Sequence, residues 1–273
     1  MPEGPEAHTI ARKLAEQISG LIIVDVEILQ GSKHADMDKI NLPLMIKDVR
    51  AHGKRPIIVT NDGVISVFLA MTGSLTWKPT SHPRIILTLS EGRRNGRLFI
   101  LEGDSLKLYF NDTRPFGKVH YLKDQASIDA HFKPFGVDLI STQITSEHFT
   151  SVLRQAPSDW EVCKYLLTPK YLCSIGNYVK SEILYLSKIR PDRTLSSLSD
   201  NDCNVLYQAT MWVLKTSLVK GGLTISDYVH PDGSVGTYSP IVYMRLQDPN
   251  SLPVITSKFT DGRTTHWVPD YQV

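Results

Sequence analysis

The sequence predicts an α+β protein of several domains: a β-sandwich or barrel opened by a helix, then a helical region, then a short β-hairpin. Three observations carry this. Short β-branched runs separated by turn residues occupy residues 21–122. Segments with helical apolar spacing follow over 147–219. Near the C-terminus Asp261-Gly262 separates two alternating runs, a strong short-range hairpin signal.

Taken in order, "EAHTIARKLAEQISGL" places Ile10, Leu14 and Ile18, with Ala7 and Ala11, on one helical face, and Gly20 is a natural stop. The runs "LIIVDVEIL", "RPIIVTNDG", "VISVFLAMTGSL", "RIILTLSEG", "RLFILEGD" and "LKLYFND" read as strands. Residues 123–146 read as a mixed connector. The helical region contains "SVLRQ", "EVCKYLL", "YVKSEILYLSKI" and "DNDCNVLYQATMWVLKTSLVKGG", followed by a polar loop over 223–240 rich in Gly and Pro. The resulting division is 1–122, 123–146, 147–240 and 241–273.

The 273 residues, 41% hydrophobic and 21% charged, describe an ordinary globular chain able to build more than one core. Thirty Lys and Arg against 28 Asp and Glu leave bulk charge silent about nucleic acid. Locally, 164–193 holds six basic residues against two acidic ones, a modest basic patch. No apolar run approaches the ~20 residues of a membrane span, and no signal-peptide layout is present, so an intracellular protein is expected. Cys163, Cys173 and Cys203 are too widely spaced for a zinc site and read as reduced thiols. No cofactor and no metal are expected.

Four stretches bear on chemistry. "MPEGPE" is either a frayed terminus or an N-terminal amine put to use. Removal of Met1 would leave Pro2 as a secondary amine of pKa about 7.7, nucleophilic near neutrality, with Glu3 and Glu6 beside it to move protons. In "AHGKRP", Lys54 and Arg55 occupy a turn, either solvated or clamping a phosphate. Asn177 is read as the N-cap of a following helix, whose N-terminus is also a ready phosphate site. Arg263 follows the tight turn of the hairpin, placed either for solubility or to probe a base edge or phosphate.

Taken together, these stretches resemble the formamidopyrimidine-DNA glycosylase and endonuclease VIII family. The resemblance runs in order through "MPEGPE", "GKRP", "LAMTGSL", "DTRPFG", "SIGNYVKSEILYLSKIRP", "GGLTISDYVHPDGSVG" and "GRTTHWVPDYQ". It implies an N-terminal β-sandwich, a helix–two-turn–helix domain and a hairpin finger. It also implies a monomer that acts on double- or single-stranded damaged DNA. In this resemblance Pro2 attacks C1′ of a damaged nucleotide and forms a Schiff base. Glu3 protonates the sugar ring oxygen, Glu6 lies near the sugar, and β- then δ-elimination cut the strand. The catalytic set is thus Pro2, Glu3, Glu6 and Lys54. Lys54, Asn177 and Arg263 match phosphate contacts. Met71 matches the residue that fills the hole left by the flipped base, and Arg114 and Phe116 match its wedge partners. For Met71 and Phe116 the competing reading is ordinary core packing. The loop 223–240 matches the base-reading loop.

One departure is informative. Most members end the finger in "CPxCQ" and bind zinc through four cysteines, whereas this chain reads "VPDYQ", with Val268 and Tyr271 at the cysteine positions. That is similar to the zincless-finger branch typified by endonuclease VIII-like 1, which implies oxidised pyrimidines and hydantoins as substrates. The competing expectations are a catalytically silent member that only binds damaged DNA, and an 8-oxoguanine-preferring glycosylase.

Overall fold

The computed structural model describes residues 2–94, 97–99, 106–224 and 230–273. The chain divides into two compact units. One comprises Met1–Pro2, Glu6–Lys133 and Thr224–Thr237, and the other Glu3–Pro5, Pro134–Leu223 and Tyr238–Val273.

Helix α1 (Gly4–Ile18) precedes eleven strands. These are β1 (Ile22–Ile28), β2 (His34–Ala35), β3 (Leu44–His52), β4 (Arg55–Thr60), β5 (Gly63–Phe68), β6 (Gly73–Thr76), β7 (Pro83–Ser90), β8 (Gly92–Arg94), β9 (Arg97–Phe99), β10 (Leu106–Asp112) and β11 (Lys118–Leu122). Nine of them form one sheet in the order β2-β11-β5-β4-β3-β1-β7-β10-β6, antiparallel except for β2 against β11. Its two halves are joined through the Ile22–Met45 and Ile23–Leu44 pairs of β1 and β3. They face each other across Ile58, Ile65 and Val67 on one side and Ile85, Leu87 and Leu108 on the other. The end strands β2 and β6 do not pair, so the described sheet is a sandwich and the barrel alternative falls. The face of α1 read from the sequence (Ala7, Ile10, Ala11, Leu14, Ile18) joins this core. Strand β3 is absent from the sequence reading, and most of the run "RLFILEGD" lies outside the described residues.

The expected connector contains a helix, α2 (Gln125–Phe132), started by a capping box between Asp124 and Ser127. At eight residues, with only Ile128 and Phe132 packing against Ile57, Val64 and Leu122, this helix is too short for periodicity to reveal. The second unit holds α3 (Ser146–Arg154), α4 (Val162–Leu167), α5 (Asn177–Leu186), α6 (Asp200–Val219) and the hairpin β12 (Ile255–Lys258) with β13 (Thr264–Trp267). In α5 every residue from Asn177 to Tyr185 is buried. Its polar side chains must therefore find partners inside the protein. The three cysteines are buried and free, and burial pushes the Cys163 thiol up to about 12. No helix of the described residues is long and apolar enough to cross a membrane.

In the first unit His131 lies 3.2 Å from the Ser66 hydroxyl and 4.9 Å, ring to ring, from His120. Burial, then His120 and Arg55, lower its pKa from 6.5 to about 4. A histidine kept neutral by folding stabilises the fold fully above its unfolded pKa, and that contribution is lost as the pH falls from 6.5 toward 4. Denaturant midpoints should therefore fall across this window, and His131→Gln should flatten the fall; an unchanged slope would contradict the neutral, half-buried state.

Candidate active site and nucleic-acid interface

Within the first unit Pro2 is buried just before α1, and Glu6 is buried in the first turn of that helix. Pairing of His52 with Arg55 leaves Gly53 and Lys54 as the two central residues of a tight β3–β4 hairpin, so Lys54 stands at the turn as expected. The Arg55 guanidinium lies over the Phe68 ring at 4.8 Å. Met71 and Phe116 are 53% and 57% exposed, which removes core packing as their role. Their turns are held together by Asp112. It accepts the Thr72 hydroxyl at 2.5 Å and the Gly117 N–H at 2.7 Å, while Arg114 N–H donates to Thr72 Oγ1 at 3.0 Å. The turns that carry Met71, Arg114 and Phe116 are therefore neighbours. Sequence reading missed Thr72 and Asp112, because the bond between them joins residues forty positions apart.

Within the second unit the first turn of α5 receives the N-terminal segment. Tyr178 N–H and Val179 N–H donate to the two carboxylate oxygens of Glu3 at 3.1 and 3.3 Å. A helix N-terminus presents unused amides and a positive dipole end, so a carboxylate is stabilised there. The approach demands glycine at 176: a Cβ there would lie 2.0 Å from Glu3 Cδ. Gly4 is under the same demand, its N–H donating to Ser174 O at 3.0 Å and any Cβ meeting that oxygen at 2.4 Å. The opening motif and the "SIGNYVK" motif thus interlock, 175 positions apart in the Glu3–Tyr178 bond. This corrects two expectations. Gly176, not Asn177, is the N-cap residue, and the amides expected to bind phosphate are engaged by Glu3.

Asn177 instead donates its side-chain amide to Thr264 O at 2.8 Å, while its buried Oδ1 has no hydrogen-bond partner among the described residues. The hairpin also differs from expectation. Lys258 pairs with Thr264, so Phe259–Arg263 form a five-residue loop and not a two-residue turn. Asp261 is drawn inward by a buried ion pair with Lys180, while Arg263 stays exposed. Lys180 therefore leaves the basic patch expected over 164–193, where Arg190 and Arg193 are paired with Asp192 and Asp202. Lys180's ammonium is pulled down by burial, against the pull of Asp261. Burial, then Lys180, lowers the pKa of His266. Glu182 accepts Tyr238 O–H and the N–H groups of Ile241, Val242 and Tyr243 at 2.6–3.0 Å, organising the chain ahead of the hairpin.

Val268 packs with Val254, Val242 and Tyr271, and Tyr271 stacks on Tyr185 at 4.7 Å. Among the described residues no group of three or more His, Cys, Asp or Glu could hold a metal ion.

Residues 1–119 match the formamidopyrimidine-DNA glycosylase N-terminal domain, and 135–229 match the H2TH domain of the same proteins. A formamidopyrimidine-DNA glycosylase of Rickettsia felis is 30% identical over 88% of this chain and 85% of its own. The chain belongs to the formamidopyrimidine-DNA glycosylase family. This is a family of DNA glycosylases with AP lyase activity. Its Shouchella clausii member is 28% identical over 100% of this chain and 99% of that one. The crystal structure of the MutM (Fpg) protein from Thermus thermophilus superposes with a TM-score of 0.85 at 26% identity, covering 99% of this chain and 98% of that one. A MutM structure in complex with DNA containing carbocyclic 8-oxo-G shares the fold, with a TM-score of 0.83 at 22% identity.

Gly176→Ala should displace the Glu3 carboxylate from its amides; if Glu3 takes part in the reaction, glycosylase activity should fall about a hundredfold with far-ultraviolet dichroism unchanged, since a displacement of about 1 Å at a reacting group costs that much. Wild-type activity would mean that this seat is not needed.

Proposed function

We propose that the protein is a bifunctional DNA glycosylase/AP lyase of base excision repair, taking oxidised pyrimidines and hydantoins and working through Pro2. The observation that carries this is the seating of Glu3, the residue bonded to Pro2, on the first amides of α5. That arrangement fixes a proton carrier one residue from the amine. Once Met1 is removed, the Pro2 nitrogen forms a bond to C1′ as the C1′–base bond breaks, and the departing base takes up the proton that the amine gives up. Glu3 supplies a proton to the ring oxygen, the sugar opens, and a charged iminium remains. The iminium accepts the electron pair released when a C2′ proton is taken, which expels the 3′ phosphate. A second elimination expels the 5′ phosphate, and water then frees the amine. Glu6 lies near the sugar in this scheme.

Lys54, Asn177 and Arg263 hold phosphates on either side of the lesion, Asn177 through the second hydrogen of its amide. Met71 fills the space of the everted base, with Arg114 and Phe116 wedged against the opposite strand. Residues 1–122 carry the chemistry, 147–240 bind DNA and 241–273 form a finger that needs no metal. The part of the base-reading loop at 225–229 lies outside the described residues. The name carried by the relatives favours a second reading, preference for formamidopyrimidine lesions. A panel of duplexes bearing one oxidised pyrimidine, hydantoin, formamidopyrimidine or 8-oxoguanine decides between them.

Borohydride should trap a covalent adduct between the mature protein and a duplex with one oxidised pyrimidine. Glu3→Gln should bind that duplex with unchanged affinity and fail to release the base, because affinity rests on phosphate contacts. Failure to trap an adduct on any oxidised base would remove Pro2 as nucleophile.

A further inference from the structure

Arg263 is exposed, yet the backbone on both sides of it is fixed. Lys180, with a fully buried side chain, pairs with Asp261, whose side chain is 1% exposed, and also donates to Thr265 Oγ1 at 2.8 Å. Asp261 uses its other oxygen to accept the Arg263 N–H at 3.0 Å. Asn177 holds Thr264 O, and Thr260 donates its N–H and hydroxyl to Glu161 at 2.9 and 2.6 Å. One ammonium thus bridges the residues that bracket Arg263 and Thr264.

We infer that Lys180 is a positioning residue for the reaction: its buried ion pair with Asp261 aims Arg263 at the phosphates beside the everted base. A buried ion pair is an expensive way to fill space, since an apolar pair of similar volume often folds as well or better. What the pair does supply is direction. The ammonium joins Asp261 before Arg263 and Thr265 after it, so the arginine's Cα is fixed while its side chain stays in solvent. The same helical turn holds Glu3, so the proton carrier and the phosphate grip are set by neighbouring residues of α5. This inference rests on the role proposed for Arg263.

The test is a cycle of variants measured under single-turnover conditions on an intact oxidised base and on a pre-formed abasic site. Lys180→Met with Asp261→Asn removes both charges together and leaves an oxygen to accept the Arg263 N–H. This paired variant should slow base excision about tenfold and abasic-site cleavage by less than about twofold, because only excision needs the base held out. In an Arg263→Ala background the same paired change should add nothing, as expected for groups acting through one another. Arg263→Ala slowing both activities equally would overturn the role given to Arg263. Arg263→Ala showing the split while the paired variant behaves as wild type, or multiplies with it independently, would overturn the inference alone. Thr265→Val, which deletes one Lys180 contact at nearly constant volume, gives a second route should the paired variant not fold. It should show the same split at smaller size, and no split there would equally overturn the inference.

Discussion

A helix leaves its first amides unpaired, and in this protein a distant carboxylate uses them. Glu3 takes two of the donors of α5, and the two glycines that permit the approach, Gly4 and Gly176, have no room for a side chain. Charge-assisted hydrogen bonds contribute about 1.5–3 kcal/mol each, so the N-terminal segment is anchored where termini ordinarily fray. The chemistry proposed for Pro2 depends on that anchoring, because a nucleophile at a chain end acts only if the end is held.

The rest of α5 follows the same logic. A helix buried on all sides cannot carry Asn177, Lys180, Ser181 and Glu182 unless each has a partner. Asn177 and Lys180 hold the hairpin, Ser181 accepts the His266 N–H at 3.3 Å, and Glu182 gathers three backbone amides and a phenol. Removing one member of the Lys180–Asp261 pair would leave a buried charge without its partner, a loss of about 3–5 kcal/mol. The helix therefore works as a polar spine whose side chains set the surrounding segments by direction as well as by burial.

Much of this was legible in the sequence. The apolar face of α1, the helices α3 to α6 and the existence of a hairpin follow from local periodicity and turn residues, which need no knowledge of partners. The position of Lys54 at a turn was also readable, whereas the residues around Met71 and Phe116 left core packing open until their exposure was seen. What escaped reading depends on contacts far apart in the chain. Lys180 looks like part of a surface patch until Asp261 is brought beside it. Asn177 looks like a cap until Glu3 occupies the amides beyond it. Asp261-Gly262 looks like a two-residue turn, but the inward pull on Asp261 and the Lys258–Thr264 register spread the loop to five residues. Helix α2 escaped because its eight residues offer a single apolar pair, Ile128 and Phe132, too little for a period to show.

The most direct measurement is a crystal structure of the borohydride-reduced adduct between the mature enzyme and damaged DNA. The account predicts a covalent bond from the Pro2 nitrogen to C1′, with the Glu3 carboxylate still within hydrogen-bonding distance of the Tyr178 and Val179 amides. An adduct through a lysine, or Glu3 withdrawn from α5 with another group on those amides, would contradict it.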